Sequence, residues 1–179
     1  MAQKIIAGNW KMNLDIDQSV KLIRELNTEK FDSDVRIILF PPSLFIDRIS
    51  KVIESSIQLG VQNFSNNYNG AYTGEISINQ VKSVGAKIGL IGHSERRSYY
   101  NEGDDILRYK VNQAVKHNFE FIFSITIFLE YSKLTSLPLF TITVRQLDPI
   151  LFSFLNDLGK LISNKSLPTK YLQLSNISE

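Results

Sequence analysis

Short apolar runs alternate with amphipathic stretches along the first 125 residues of the chain. Each apolar run has the length of a β-strand and ends at polar or turn-forming residues. We predict five strands, at residues 5–10, 35–40, 57–61, 87–91 and 119–125. Strands and helices that alternate at this spacing indicate parallel strands with right-handed crossovers. The pattern therefore predicts an α/β sheet or barrel.

The stretches between these strands carry apolar residues at helical spacing. The predicted apolar faces are Ile16, Val20 and Ile23, then Phe45, Ile49 and Val52, then residues 78–84, and finally Leu107, Val111 and Ala114. Asp104 is the expected N-cap of the last of these helices, because a short acidic side chain accepts hydrogen bonds from the first free amides. After residue 126 the pattern becomes irregular. We predict a helix at 141–155 and assign no strand to the polar residues 163–179.

Composition narrows the class of protein. With 179 residues, 43% of them hydrophobic, the chain can bury one substantial core. Its 20 basic and 18 acidic residues are scattered, so we predict no nucleic-acid partner. The chain has no cysteine, which excludes disulfides and thiolate metal sites. No apolar run approaches the ~20 residues needed to cross a bilayer. We therefore expect no membrane partner and a cytoplasmic location.

Two motifs place candidate catalytic side chains at strand ends. GNWKMN spans residues 8–13 and IGHSERR spans residues 91–97, each directly after an apolar run. Lys11 and His93 should thus emerge at the ends of strands, where barrel enzymes carry their chemistry. We expect both side chains to converge on one pocket at the same mouth of the sheet. Ser94 is the predicted cap of a short helix, and the N-terminus of that helix would disfavour a charged imidazole.

Other interpretations of these residues remain open. A lone lysine after a strand is usually solvated, and a lone histidine is more often structural or exposed than catalytic. We assign His117 no function on that ground. Glu95 either complements the helix dipole or pairs with Lys11 or with a partner's loop. We predict no metal, nucleotide or other cofactor, because two histidines without a carboxylate cluster make a poor metal site and no phosphate-binding glycine motif occurs.

A polar segment rich in asparagine and glycine, residues 62–77, is too long for a simple turn. It indicates a functional or interface loop. The alternative is a flexible surface loop, although Tyr68 and Tyr72 would be costly to leave in water.

The segments GNWKMN, QN, GAYTGEIS and GHSERR occur in the order and at the spacing found in the triosephosphate isomerase family, which this chain resembles. The similarity runs over residues 3–123, and a weaker similarity occurs at residues 144–151. It implies the α/β fold of the TIM (β/α)8-barrel type. It also implies cofactor-free interconversion of dihydroxyacetone phosphate and glyceraldehyde 3-phosphate through an enediolate, in glycolysis and gluconeogenesis.

The resemblance also implies roles for particular residues. Asn9 and Lys11 would bind the triose phosphate substrate, and Glu95 would orient Lys11. His93 would be the family's neutral electrophile, the well-studied histidine whose pKa a helix N-terminus lowers. We therefore take His93, Lys11 and Glu95 as the catalytic set. The family further implies a homodimer, with Thr73, Tyr72 and Gln62 at its interface.

The sequence after residue 123 departs from the family. The segment AYEPVWAIGTG, which carries the family's catalytic glutamate and the loop that closes over substrate, has no counterpart. After Glu130 the carboxylate residues are Asp148, Asp157 and Glu179, and Gly159 is the one glycine after Gly103. Residues 124–127 read SITI where the family usually has a CIGE-like segment.

We therefore expect a barrel truncated to about its first five βα units. Residues 1–155 would form a partial triosephosphate isomerase-like barrel, and residues 156–179 a divergent tail, irregular or disordered. A truncated or frame-disrupted gene product would explain this departure, and we expect little or no activity from this chain alone. The alternative is a non-catalytic remnant or dimer-forming module.

Overall fold

Parallel strands in sequential order form the framework of the protein. The computed structural model describes residues 4–126 and 172–175. These residues contain the strands β1 (Lys4–Asn9), β2 (Val35–Phe40), β3 (Ile57–Val61), β4 (Ile88–Ile91), β5 (Glu120–Thr126) and β6 (Leu172–Ser175). The strands lie in one sheet in the order β1 to β6, and every neighbouring pair is parallel. The first five strands were predicted from the sequence, each within about a residue of its observed start.

The sixth strand was not predicted. Residues 172–175 lie in the polar segment to which the sequence analysis assigned no strand, and that assignment is wrong for these four residues. They pair in parallel with β5, Phe123 opposite Leu172. The hydrogen-bond partners of β6 lie about fifty residues earlier in the chain, so a local pattern of four residues could not reveal them. The helix predicted at 141–155 lies outside the described residues, and the proposed boundary at residue 155 stays a prediction.

Helices connect the strands as predicted. They are α1 (Ile16–Leu26), a 3-10 turn (Ser43–Phe45) that leads into α2 (Ile46–Ser50), α3 (Ile78–Ser83), α4 (Ser94–Tyr99) and α5 (Asp104–Lys116). Capping boxes fix the starts of α1 and α3. Asp15 and Ser77 each accept from the backbone N–H three residues on, and Gln18 and Gln80 bond back to the cap. None of the helices in this part of the chain is long and apolar enough to span a membrane.

Two predicted caps are wrong by one residue. Gly103, not Asp104, is the N-cap of α5, and Asp104 is the first helical residue. Its carboxylate accepts a hydrogen bond from the Arg97 side chain, a partner that lies outside the helix. His93, not Ser94, caps α4, because its ring nitrogen Nδ1 accepts the backbone N–H of Glu95. An imidazole nitrogen thus does the work that short oxygen-bearing side chains usually do at this position.

Apolar side chains cover both faces of the sheet, as expected for a parallel sheet. On one face the strands pack against the helices, with Leu39, Leu59 and Phe123 among the contacts. On the other face a second, smaller cluster joins strands that are not neighbours. It consists of Ile38, Phe40, Ile88, Leu90 and Ile122, with Ile5 and Ala7 packed against it. Alternation along each strand sends successive residues to opposite layers.

The second cluster shows that the sheet is curled. Strands β2 and β5 are three positions apart, which would separate them by roughly 14 Å in a flat sheet. Yet Arg36 of β2 forms an ion pair with Glu120 of β5, and its Nε donates to Gln58 Oε1 of β3 at 2.7 Å. This curled parallel sheet with helices on its outer face is the TIM-barrel type of α/β fold that the sequence predicts.

Candidate active site

The two motifs converge on the mouth formed by the carboxyl ends of the strands. Asn9 is the last residue of β1 and Lys11 follows it, while His93 follows β4 by two residues. Glu95 lies between them. Lys11 Nζ is 2.7 Å from Glu95 Oε1, and Glu95 Oε2 is 3.6 Å from His93 Nδ1. The predicted pairing of Glu95 with Lys11 is therefore present, and it brings the ends of β1 and β4 together.

Lys11 has an unusual backbone conformation. Its φ is +55°, in the left-handed region that a lysine rarely adopts. Two side chains hold it there. Its N–H donates to Asn9 Oδ1 at 3.0 Å, and its C=O accepts from Gln62 Nε2 at 2.9 Å. Such a conformation persists only where its surroundings over-determine it, and Asn9 and Gln62 supply that constraint.

Gln62 also bonds within the chain, next to the site, where the resemblance to the family places it. Its Nε2 also donates to the Phe40 carbonyl at 2.8 Å, at the end of β2. One amide thus ties the loop after β1 to the ends of β2 and β3. The interface role given to Gln62 from the resemblance stays a prediction.

The ion pair between Lys11 and Glu95 is partly solvated, with side-chain exposures of 53% and 39%. A pair this exposed contributes little to stability. Its consequence is geometric, because it fixes the direction of a flexible lysine side chain towards the mouth of the sheet.

His93 is held as a neutral imidazole. Its side chain is only 15% exposed, and Nδ1 accepts the Glu95 N–H at 3.3 Å. An accepting Nδ1 carries no proton, so the proton of the neutral ring is on Nε2. Burial lowers the pKa of His93 below its ordinary value, the Lys11 charge lowers it further, and Glu95 opposes both. Burial is the largest of these causes, and the expected effect of the helix N-terminus stays a prediction.

A buried ionic network supports this site, and sequence reasoning missed it. Lys110 is buried, and its Nζ donates to Glu102 Oε1 at 2.5 Å and to Asn63 Oδ1 at 2.6 Å. Arg96 Nε donates to the same Glu102 oxygen at 2.7 Å. Burial lowers the pKa of Lys110, and Glu102 opposes that shift. The network joins α4, α5 and the start of the polar segment at 62–77.

The position of Lys110 in the apolar pattern of α5 could have revealed this buried network. Position 110 falls three residues after Leu107 and four before Ala114, on the apolar face of α5. A lysine at such a position requires a buried partner.

The polar segment at 62–77 is folded back on itself. Ser65 N–H donates to the Ile76 carbonyl at 2.8 Å, and the segment encloses part of a cavity of about 400 Å³. The Tyr68 ring stacks on His117 with 4.0 Å between ring centroids. His117, which the sequence left without a function, thus packs against this segment. Tyr72 and Thr73 lie exposed at its tip.

No group of three or more histidine, aspartate or glutamate side chains in the described part of the chain could hold a metal ion. The side chains that meet at this mouth are the Lys11 ammonium, the Asn9 amide, the His93 imidazole and the Glu95 carboxylate.

We predict that His93 makes stability depend on pH. Because its folded-state pKa lies below the ordinary value of 6.5, the unfolded chain binds more protons between the two values. The stabilising contribution is complete above pH 6.5 and is lost as the pH falls from there through the lowered folded-state pKa. Thermal unfolding across this range should show His93→Gln losing less stability on acidification than the wild type. Equal slopes for the wild type and His93→Gln would contradict the prediction.

Comparison with known proteins points to one family. The family model described as "Triosephosphate isomerase" matches residues 4–157, which include the weaker similarity at 144–151. A triosephosphate isomerase from Alkaliphilus oremlandii is 38% identical over 119 residues, which are 66% of this chain and 48% of that protein. The one from Thermoanaerobacter pseudethanolicus is 42% identical over 118 residues, 65% of this chain and 48% of that protein.

A third relative extends the match. The triosephosphate isomerase from Ruthia magnifica subsp. Calyptogena magnifica is 41% identical over 131 residues, 73% of this chain and 53% of that protein. The chain spans about half the length of the curated relatives it matches. Because the family model covers most of the chain, the chain belongs to the triosephosphate isomerase family.

Proposed function

We propose that the site interconverts dihydroxyacetone phosphate and glyceraldehyde 3-phosphate by proton transfer through an enediolate. The observation that carries this proposal is the Glu95 carboxylate, which forms an ion pair with Lys11 and lies 3.6 Å from the His93 ring at one mouth of the sheet. Membership of the triosephosphate isomerase family supports it. With this activity the protein would act in glycolysis and gluconeogenesis, in the cytoplasm.

The isomerisation removes a proton from a carbon next to a carbonyl, so negative charge develops on the substrate oxygens. A fixed cation and oriented hydrogen-bond donors stabilise such charge. Lys11, held by Glu95, supplies the cation for these oxygens and for the phosphate. Asn9 uses Oδ1 to hold Lys11, which leaves its Nδ2 donors to contact the substrate.

His93 is suited to act as an electrophile. Its Nδ1 is occupied by the Glu95 N–H, so Nε2–H is the donor for the oxygens of the enediolate. Burial and the Lys11 charge keep the ring neutral by lowering its pKa. A neutral donor polarises the carbonyl without giving up its proton at the start of the reaction.

The sequence after residue 123 contains no counterpart of the family's glutamate segment. A general base typically contributes ~100- to 10,000-fold in rate. We therefore propose that this chain alone binds substrate at Lys11 and His93 but has little or no turnover.

Substrate binding tests the proposed site. Titration with dihydroxyacetone phosphate should shift the imidazole NMR signals of His93 saturably. Lys11→Met should weaken this binding by about tenfold, because it removes one charge-assisted contact. The matched control is Lys51→Met, which removes an exposed lysine that pairs with Asp47 instead. A coupled isomerase assay on the same samples should give a rate at least ~100-fold below that of the Thermoanaerobacter pseudethanolicus relative.

Two results would contradict this proposal. If His93 does not respond to the substrate, or if Lys51→Met weakens binding as much as Lys11→Met, the site is wrong. A rate equal to that of the relative would contradict the expected loss of turnover.

A non-catalytic, dimer-forming module is the second candidate. Exposed apolar side chains in the loop after β1 and at the tip of the polar segment favour it. Met12 is 94% exposed beside Lys11, Tyr72 is 49% exposed at the tip of the polar segment, and Thr73 follows Tyr72. We propose that the segment at 62–77, with Tyr72, Thr73 and Gln62, contacts a second copy of the chain.

The oligomeric state tests this second candidate. Sedimentation equilibrium should show a dimer for the wild type and a shift towards monomer for Tyr72→Asp, because a charge at the interface would lose its hydration. Tyr109→Asp is the matched control, since Tyr109 is 59% exposed on α5. A monomeric wild type, or equal dissociation constants for both variants, would exclude this interface.

A further inference from the structure

Arg97 bonds to both peptide groups that flank His93. Its backbone N–H donates to the His93 carbonyl at 3.1 Å, as part of the first turn of α4. Its side chain turns back, and Nε donates to the Gly92 carbonyl at 2.9 Å. One residue therefore fixes the peptide before His93 and the peptide after it. These two peptides define the φ and ψ of His93, which are −54° and 139°.

The turn before His93 is shaped around this guanidinium. Gly92 has a φ of +77°, a conformation that favours glycine. A Cβ on Gly92 would lie 2.9 Å from Arg97 Nη2 and 3.2 Å from the Ser124 carbonyl oxygen. The Arg97 side chain thus occupies the space that a side chain at position 92 would need.

Further contacts anchor the guanidinium to the rest of the fold. Nη2 donates to the Ser124 carbonyl of β5 at 3.4 Å, and Nη1 donates to Asp104 Oδ1 at the start of α5 at 3.3 Å. The guanidinium also lies over the Phe123 ring, 5.7 Å from its centroid. Through Arg97, the position of His93 is fixed relative to β5 and α5 as well as to β4.

We propose that Arg97 is a positioning residue for His93. Arg97 holds the imidazole so that its Nδ1 accepts the Glu95 N–H and its Nε2–H is presented at the mouth of the sheet. The importance of this role for catalysis rests on the proposed function. The geometric role does not rest on the proposed function, because it concerns a hydrogen bond within the chain. No part of the sequence motif alone distinguishes Arg97 from Arg96, whose side chain bonds to Glu102 instead.

The test replaces the forked donor of Arg97 by a single one. Arg97→Lys keeps the charge beside Asp104, but lysine cannot reproduce the planar fork that spans two carbonyls. The Glu95 N–H should then exchange with solvent about tenfold faster, because its bond to His93 Nδ1 is weakened. The Nδ1 chemical shift of His93 should move away from its wild-type value in the same sample. Both are measured by NMR on the full chain.

An internal reference separates this effect from general loosening. The Gln80 N–H is also a helix-start amide bonded to its N-cap side chain, Ser77 Oγ, at 3.3 Å. Its exchange should not change in Arg97→Lys. Asp104→Asn keeps the guanidinium and its two carbonyl contacts, so it should leave the Glu95 exchange within about twofold of the wild type.

Three outcomes would overturn the proposal. The first is a folded Arg97→Lys whose Glu95 exchange and His93 shift match the wild type. The second is equal acceleration at Glu95 and Gln80, which indicates global loosening. The third is an Asp104→Asn effect as large as that of Arg97→Lys, which assigns the effect to the ion pair. If Arg97→Lys fails to fold, the same readouts on Arg97→Gln decide. Failure of dihydroxyacetone phosphate to bind the wild type would refute the proposed function and leave these readouts unaffected.

Discussion

The Glu95 carboxylate, between the Lys11 ammonium and the His93 ring, is the contact on which the site depends. Its two oxygens face residues from the ends of β1 and β4, strands separated by two others in the sheet. Only a curled sheet brings these ends within reach of one side chain. The site therefore depends on the curl of the sheet, and an apolar cluster on the inner face joins the same curled strands.

Much of the rest of the site holds these groups in fixed directions. Lys11 adopts a positive φ between Asn9 and Gln62, and His93 lies between two peptides bonded to Arg97. Their shared consequence is that a long, flexible lysine and a neutral imidazole keep defined orientations at a partly solvated mouth.

The sequence predicted those features that depend on local patterns of residues. Five strands and their helices follow from apolar spacing, and Lys11, His93 and Glu95 follow from two motifs at strand ends. It could not predict contacts between distant residues. Three contacts join positions that lie far apart in the chain or on different elements. They are the pairing of β6 with β5, the hydrogen bond from Lys110 to Glu102, and the hydrogen bond from Gln62 to the Lys11 carbonyl. The Asp104 cap failed because α5 already includes Asp104, whose carboxylate accepts from Arg97. The Ser94 cap failed because the His93 ring accepts the Glu95 N–H.

The most direct test of the account is the pKa of His93, followed by NMR in two single variants. Glu95 raises this pKa and Lys11 lowers it. The pKa of His93 should therefore be lower than in the wild type in Glu95→Gln and higher in Lys11→Met. A His93 pKa that stays unchanged in both variants would mean that the three groups do not share one pocket, and it would contradict the assignment of the site.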